Sequence, residues 1–323
     1  MAGKRLISIG EALIDFMPEQ TGRSIAQVGS FAPAVGGAPA NVCGAFSKLG
    51  GESAMVTQLG ADPFGDKIVE EFKQNGINCD WVKRTTKANT SLAFVALQEN
   101  GMREFSFFRN PGADMLYSPE DLDPALFEDA YALHFCSVSL GDFPMTEAHK
   151  KAIEYAAERD MIISFDPNLR PALWSSEEAM ISAVKEFLPL ADILKVSDEE
   201  IEALTGTTEI QEALPKLFTG RVKLVIYTEG SKGARAYTKT AEGYAASKKV
   251  KAVDTTGAGD GFIGSFLYSL YADGVTSQGI NELTEAQLSE YLKFSNTFCG
   301  ISVQKKGAII SYPSYDEVKA EME

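Results

Sequence analysis

Met161-Ile-Ile-Ser-Phe165 is followed by a helical pattern over residues 177–188 and then by Asp192-Ile-Leu-Lys-Val196. Both flanking runs are short and continuously apolar. A strand of that kind is buried on both faces, as in a parallel sheet covered by helices. Strand, helix, strand in this order reads as a βαβ unit. The pattern repeats outward in both directions. Leu6-Ile-Ser-Ile9, Ser53-Ala-Met-Val-Thr57 and Ala132-Leu-His-Phe-Cys-Ser-Val138 precede it, and Lys223-Leu-Val-Ile-Tyr227 follows. Helical patterns fall at 39–49, 65–75, 146–159 and 197–204. The expected class is therefore α/β, with a mostly parallel central sheet and helices on both faces.

Two segments interrupt the alternation, at about 12–35 and 89–112. They hold Leu13-Ile-Asp-Phe16, Ser91-Leu-Ala-Phe-Val-Ala-Leu97 and Arg103-Glu-Phe-Ser-Phe-Phe108. Asn100-Gly101 marks a hairpin turn, because both residues tolerate positive φ. The expectation is a small β lid made of two insertions. Pattern alone also allows edge strands of the main sheet.

The chain has 323 residues, with 30 Lys+Arg against 45 Asp+Glu, a net charge of −15. Its sequence pI is near 4.7. So acidic a chain lacks the basic face that nucleic acid or an anionic membrane surface requires. No run approaches the ~20 apolar residues of a membrane helix. The start, Met1-Ala-Gly-Lys-Arg-Leu-Ile-Ser-Ile-Gly10, lacks the apolar core of a signal peptide. Cys43, Cys79, Cys136 and Cys299 are widely spaced, and His134 and His149 are too few for a zinc site. The expectation is a cytoplasmic chain with reduced thiols.

Val253-Asp-Thr-Thr-Gly-Ala-Gly-Asp-Gly-Phe262 is a glycine turn feeding an apolar helix. Backbone N–H groups at a helix start form an anion hole without any lysine. Asp260, in the first turn, reads either as a cap or as a catalytic base beside the bound anion. Val35-Gly-Gly-Ala-Pro-Ala-Asn-Val42 is a second glycine turn. It reads either as a plain loop-to-helix cap or as a ligand loop, with Gly36 and Gly37 approaching the ligand and Asn41 bonding it. Gly257-x-Gly259-x-Gly261 is not the dinucleotide fingerprint, and Gly60-Ala-Asp-Pro-Phe-Gly65-Asp-Lys67 lacks the ending of a P-loop.

These two turns, with Leu49-Gly-Gly, Gly60-Ala-Asp-Pro-Phe-Gly65 and Asp254-Thr-Thr-Gly-Ala-Gly-Asp260, resemble the ribokinase (PfkB) family of carbohydrate kinases. The resemblance runs from Ser8-Ile-Gly-Glu-Ala-Leu-Ile-Asp15 to Gly300-Ile-Ser-Val-Gln-Lys-Lys-Gly-Ala308. Within the family the chain is most like the fructokinases. Ala38 stands where ribokinases place a lysine, and Leu13 where they place an asparagine. Phe108-Arg-Asn-Pro-Gly-Ala-Asp114 and Phe165-Asp-Pro-Asn-Leu-Arg-Pro-Ala-Leu-Trp174 are fructokinase-like, as is His134-Phe-Cys-Ser-Val-Ser-Leu140.

The resemblance implies one ribokinase-like domain over 1–323 that moves the γ-phosphoryl of ATP to the 6-hydroxyl of D-fructose. It makes Asp260 the base and Gly257, Ala258 and Gly259 the anion hole. It gives the sugar to Asp15, Gly36, Gly37 and Asn41, with Arg109 and Arg170 reaching sugar or transferring phosphate. Either arginine could instead be a surface or salt-bridging residue. Lys195, Ser197, Thr228, Gly230 and Asn296 fall at nucleotide positions, Ser197 replacing the family's asparagine. Glu200 orders Mg²⁺ waters. A monovalent cation, K⁺, is implied at Asp254, Thr256, Val303, Lys306, Gly307 and Ser311. The exposed lid edges suggest a homodimer. A 2-keto-3-deoxygluconate or ribose kinase fits the same frame, as does a catalytically silent sugar- or nucleotide-responsive regulator.

Overall fold

The computed structural model describes residues 4–97 and 103–323. The expected Asn100-Gly101 turn lies outside them. The strands are β1 (Arg5–Ile9), β2 (Leu13–Pro18), β3 (Phe31–Gly36), β4 (Glu52–Gly60), β5 (Ile77–Asn78), β6 (Val82–Thr85), β7 (Ser91–Leu97), β8 (Arg103–Phe108), β9 (Ala130–Cys136), β10 (Ile162–Asp166), β11 (Ile193–Ser197), β12 (Leu224–Thr228), β13 (Ala234–Tyr237) and β14 (Glu242–Ala245). The α-helices are α1 (Ala38–Lys48), α2 (Pro63–Gln74), α3 (Pro144–Glu158), α4 (Glu177–Phe187), α5 (Ile201–Thr205), α6 (Ile210–Leu217), α7 (Ala258–Ala272), α8 (Glu285–Ser302) and α9 (Tyr315–Met322).

The central sheet runs β14-β13-β12-β11-β10-β9-β1-β4-β5, with β6 also on β4. Its pairs are parallel except those joining β12, β13 and β14. Side-chain alternation explains why its strands are apolar throughout. Ile163, Leu194 and Val225 enter a core with α3, α4 and α5, including Phe135 stacked on Phe165 at 4.6 Å. Their neighbours Ile162, Ile193 and Leu224 enter a second core with α1, α7 and α8. Each face of the sheet therefore has its own apolar layer, and neither can be polar.

One helical boundary departs from the sequence reading. The pattern at 197–204 predicts a helix from Ser197, but α5 begins at Ile201. Glu200 accepts from the Ser197 backbone N–H at 3.0 Å and from the Ser197 hydroxyl at 2.9 Å, so residues 197–200 close as a turn instead.

The two interrupting segments form a separate sheet, β3-β2-β7-β8. In it β2 and β7 pair in parallel and the other pairs are antiparallel. They are not edge strands of the central sheet. Glu11 follows the end of β1, Val138 that of β9 and Asn168 that of β10, Thr228 ends β12, and Lys195 stands two residues before the end of β11. These are the carboxyl ends of the central strands, where α/β sheets bind ligands.

Candidate active site

Two cavities meet at the N-terminus of α7. The first, of about 220 Å³, is walled by Asp15, Asn41, Arg170, Lys195 and Asp260. The second, of about 530 Å³, is walled by Thr228, Gly230, Phe262, Asn296 and Cys299. Thr255, Ala258 and Gly259 line both, so the glycine turn is the wall between them. An anion held there would face a ligand on either side.

Gly257 adopts φ +70° at the start of α7, a left-handed conformation that side chains disfavour. Its carbonyl accepts from the Tyr312 hydroxyl at 2.7 Å, which pins the turn to the chain after α8. Ala258 departs from the expected anion hole. Its N–H closes a turn onto the Thr255 carbonyl at 3.2 Å, leaving Gly257 and Gly259 as the expected donors in this conformation.

Asp260 does not cap α7. It is 9% exposed, and its Oδ2 accepts from Asn41 Nδ2 at 2.8 Å. Burial pushes its carboxyl up to about 6, against the opposing pull of the Asn41 bond. Asn41 Oδ1 is buried and has no hydrogen-bond partner among the described residues. Asp15 stands across the cavity, pushed up to about 7 by removal from water, with the Arg170 guanidinium drawing it back. A Cβ on Gly36 would lie 2.0 Å from Asp15 Oδ2, so only glycine lets that carboxylate settle against β3. Gly37 lines the first cavity and precedes α1, whose first turn holds Asn41. Arg170 is exposed, with its Nη1 donating to the Leu169 carbonyl at 2.9 Å.

Other expected positions fall elsewhere. Arg109 does not line either cavity. It is 8% exposed, donates twice to Asp114 at 2.6 and 2.8 Å, and gives its remaining arm to the Val138 carbonyl at 3.2 Å. Its salt-bridging alternative describes this geometry: Asp114 takes two of the guanidinium's donors and Val138 a third. Lys195, expected with the nucleotide, lines the first cavity and not the second. Ser197 and Glu200 line neither, since they bond one another and Glu200 also accepts from Leu169 N–H at 2.8 Å. Thr228, Gly230 and Asn296 do line the second cavity, Asn296 anchored to the Ala245 carbonyl at 2.8 Å.

Asp254 joins the two loops of the expected cation site. It accepts from Thr256 N–H at 2.9 Å and from Gly307 N–H at 3.0 Å. The Val303 carbonyl, expected as a cation ligand, already accepts from Val253 and Asp254 N–H at 2.7 and 3.2 Å. In this conformation the Val303 carbonyl thus serves the two N–H groups rather than standing open to an ion. The Ser311 hydroxyl is held by the Ala308 carbonyl and Ser302. Lys306, Gly307 and Thr256 border a third cavity of about 650 Å³ beside the second sheet.

Sequence reasoning missed Glu11, Phe105 and Phe107, all on the wall of the first cavity. Glu11 accepts from Ala38 N–H at 3.3 Å and from the Ser139 hydroxyl at 2.9 Å. Its signal was available: an acid two residues after a buried strand. Phe105 and Phe107 stack at 5.8 Å on β8. Their alternation with polar residues marked a strand but not the face that meets the cavity.

The profile of pfkB family carbohydrate kinases matches residues 4–314. The chain belongs to that family. A pfkB-family kinase is a phosphotransferase with an alcohol acceptor, and the paired cavities suit a sugar on one side of the glycine turn and a phosphoryl donor on the other. The chain is 44% identical over 310 residues to probable fructokinase-5 of Arabidopsis thaliana, covering 96% of this chain and 94% of that one. It is similar to the structure of a fructokinase with bound ATP from Xylella fastidiosa, with a TM-score of 0.92, 34% identity, and coverage of 99% and 98%. It is also similar to a double mutant of the fructokinase from Vibrio cholerae O395 in fructose, ADP and potassium ion bound form, with a TM-score of 0.86, 30% identity and full coverage of both chains. Among the described residues of this kinase, no helix is long and apolar enough to cross a membrane.

Proposed function

We propose that this kinase is an ATP-dependent fructokinase forming fructose 6-phosphate. The observation that carries the reading is Asp260, held by Asn41 at the wall where the two cavities meet. Fructose occupies the first cavity and ATP the second. Asp15 accepts from adjacent sugar hydroxyls, a task suited to a carboxylate with two oxygens. Asn41 fixes one oxygen of Asp260, and the other takes the proton of the 6-hydroxyl. The hydroxyl oxygen then bonds the γ-phosphorus, and the bond from that phosphorus to ADP breaks with its electron pair. The N–H groups of Gly257 and Gly259, with Arg170, stabilise the charge of the group in transfer.

Among the described residues no three acidic, histidine or cysteine side chains cluster as a metal cage. The donor set suits Mg²⁺ carried by the triphosphate; Glu200, which lines neither cavity and is bonded to Leu169 and Ser197, would act on the ion only through intervening water. When bound, the ion neutralises phosphate charge. K⁺ fits between the loops tied by Asp254, with Thr256, Lys306, Gly307 and Ser311 as the remaining candidate positions. Replacing K⁺ by Li⁺ should lower kcat, and an unchanged rate removes the cation from the reading.

Residues 1–323 act as one domain, with the second sheet as a cover, since Leu13, Asp15, Val95, Phe105 and Phe107 from it face the sugar cavity. Hydrogen exchange on β8 should slow when fructose binds. A homodimer through that sheet is supported by its ring row, where Phe94 meets Phe16, Phe31 and Phe108, the last 62% exposed. Light scattering checks it. Cys43, Cys79, Cys136 and Cys299 are free thiols, in keeping with a cytoplasmic enzyme, which cell fractionation checks.

The deciding experiment is ADP release with ATP, Mg²⁺ and K⁺ across a panel of fructose, ribose and 2-keto-3-deoxygluconate. Fructose should give the highest kcat/KM. A clear preference for another sugar overturns the substrate, and no turnover of any sugar overturns the enzyme.

A further inference from the structure

Lys195 lies in the middle of β11 with 5% of its surface exposed. It lines the sugar cavity, and a Cβ on Gly259 would lie 3.2 Å from its Nζ. The ammonium is thus tucked beneath the glycine turn, on the acceptor side of the wall. Its hydrogen-bond partner is Asp166 Oδ2 at 2.6 Å. Asp166 ends β10 and is 1% exposed, and its buried Oδ1 has no hydrogen-bond partner among the described residues. Burial opposes the charge on Lys195, but Asp166 and then Glu200 outweigh it and hold the ammonium above its ordinary range.

A buried ion pair is weak evidence of a stabilising role, because desolvation offsets its attraction. This one borders a cavity where negative charge must pass. Arg170 is exposed and its field is screened by water, whereas the field of Lys195 is not. A preorganised buried cation is most effective where charge develops during reaction.

We propose that Lys195 is a catalytic residue that donates to the phosphoryl group as it crosses between the cavities, and that Asp166 is the positioning residue that keeps Lys195 aimed at it. The inference rests on the fructokinase reading and goes beyond it. In the step concerned, the sugar oxygen bonds the γ-phosphorus, the bond to the bridging oxygen of ADP breaks with its electrons, and the hydroxyl proton goes to Asp260. Lys195 changes no bond. It neutralises oxygens of the transferring group on the side that the second cavity does not reach. A contact made in the transition state and absent from bound ATP acts on kcat, not on nucleotide affinity.

The test compares Lys195→Met, Lys195→Arg and Asp166→Asn in the full chain with fructose, ATP, Mg²⁺ and K⁺. Lys195→Met should lose ~10²–10³-fold in kcat, the scale of one lost transition-state donor. The Kd for ATP, measured by calorimetry, should stay within about threefold, since the contact is absent from the ground state. Asp166→Asn should lose about tenfold in kcat, with KM for fructose little changed, because the amine remains but is less well aimed. Lys195→Arg should recover part of the rate. Removing one member of a buried pair can unfold a protein, so the double variant Lys195→Met/Asp166→Asn, which removes both charges, is measured alongside. It should melt cooperatively and be as slow as Lys195→Met.

A folded double variant with wild-type kcat overturns the inference, as does weakened ATP binding with kcat intact, which would make Lys195 a ground-state nucleotide contact. In both cases the wild-type enzyme still phosphorylates fructose, and the fructokinase reading stands. A wild-type protein inactive on every sugar overturns that reading and this inference together.

Discussion

Asp260→Ala is expected to cut kcat by ~10²–10⁴-fold, the usual worth of a positioned general base. ATP affinity should stay near the wild-type value, because Asp260 lies on the first cavity and not the second. The change also removes the partner of Asn41 Nδ2. Asp260→Asn, which keeps the shape, separates loss of the base from loss of packing, and both variants should be equally slow. The pH profile offers an independent check. Burial places the Asp260 carboxyl at about 6, and the base works only when ionised. The ratio kcat/KM should therefore rise with pH through about 6, where Asp260 ionises, and on through about 7, where the sugar-binding Asp15 does, before flattening. Near wild-type turnover in Asp260→Ala, or a flat acidic limb in the wild type, removes Asp260 from the role.

Asp15→Ala is expected to act on the other substrate. Hydrogen bonds to a charged group contribute ~1.5–3 kcal/mol each, so losing two should raise KM for fructose by ~10²-fold or more. KM for ATP should change little. The variant also opens the space that Asp15 takes against Gly36, where a Cβ would come within 2.0 Å of the carboxylate. Asp15→Asn keeps that packing and one acceptor, so it should fall between wild type and Asp15→Ala. If fructose KM is unmoved in Asp15→Ala, the sugar does not lie where we place it.

Much of the fold was legible because its cause is local. Continuous apolar runs such as Met161-Ile-Ile-Ser-Phe165 have no polar face to give to solvent, so a sheet with helices on both sides is the arrangement that hides them. The two β segments were also visible, but whether they joined the central sheet was not. Pairing partners far apart in sequence decide that, and β2 beside β7 is such a pair. The glycine turn before Asp260 was legible for the same local reason: a left-handed Gly257 and a helix start lie within a few residues.

The fate of single side chains was not legible. Arg109 reads as a donor fork near a ligand loop, yet Asp114 lies close enough in the fold to take it. Sequence spacing gives both residues but not which way the fork turns. Lys195 reads as a nucleotide contact, yet packing of β11 beside β10 brings it to Asp166 and to the sugar side of the wall. Asn41 and Asp260 are 219 positions apart and meet at 2.8 Å. By itself the sequence determined a mostly parallel sheet covered by helices on both faces, a glycine turn at a helix start and an acid beside it, since each follows from backbone conformation and periodicity over a short span. Only the tertiary structure decided which partner each charged side chain meets and on which side of the turn it stands, because those distances come from packing distant elements on a shared core.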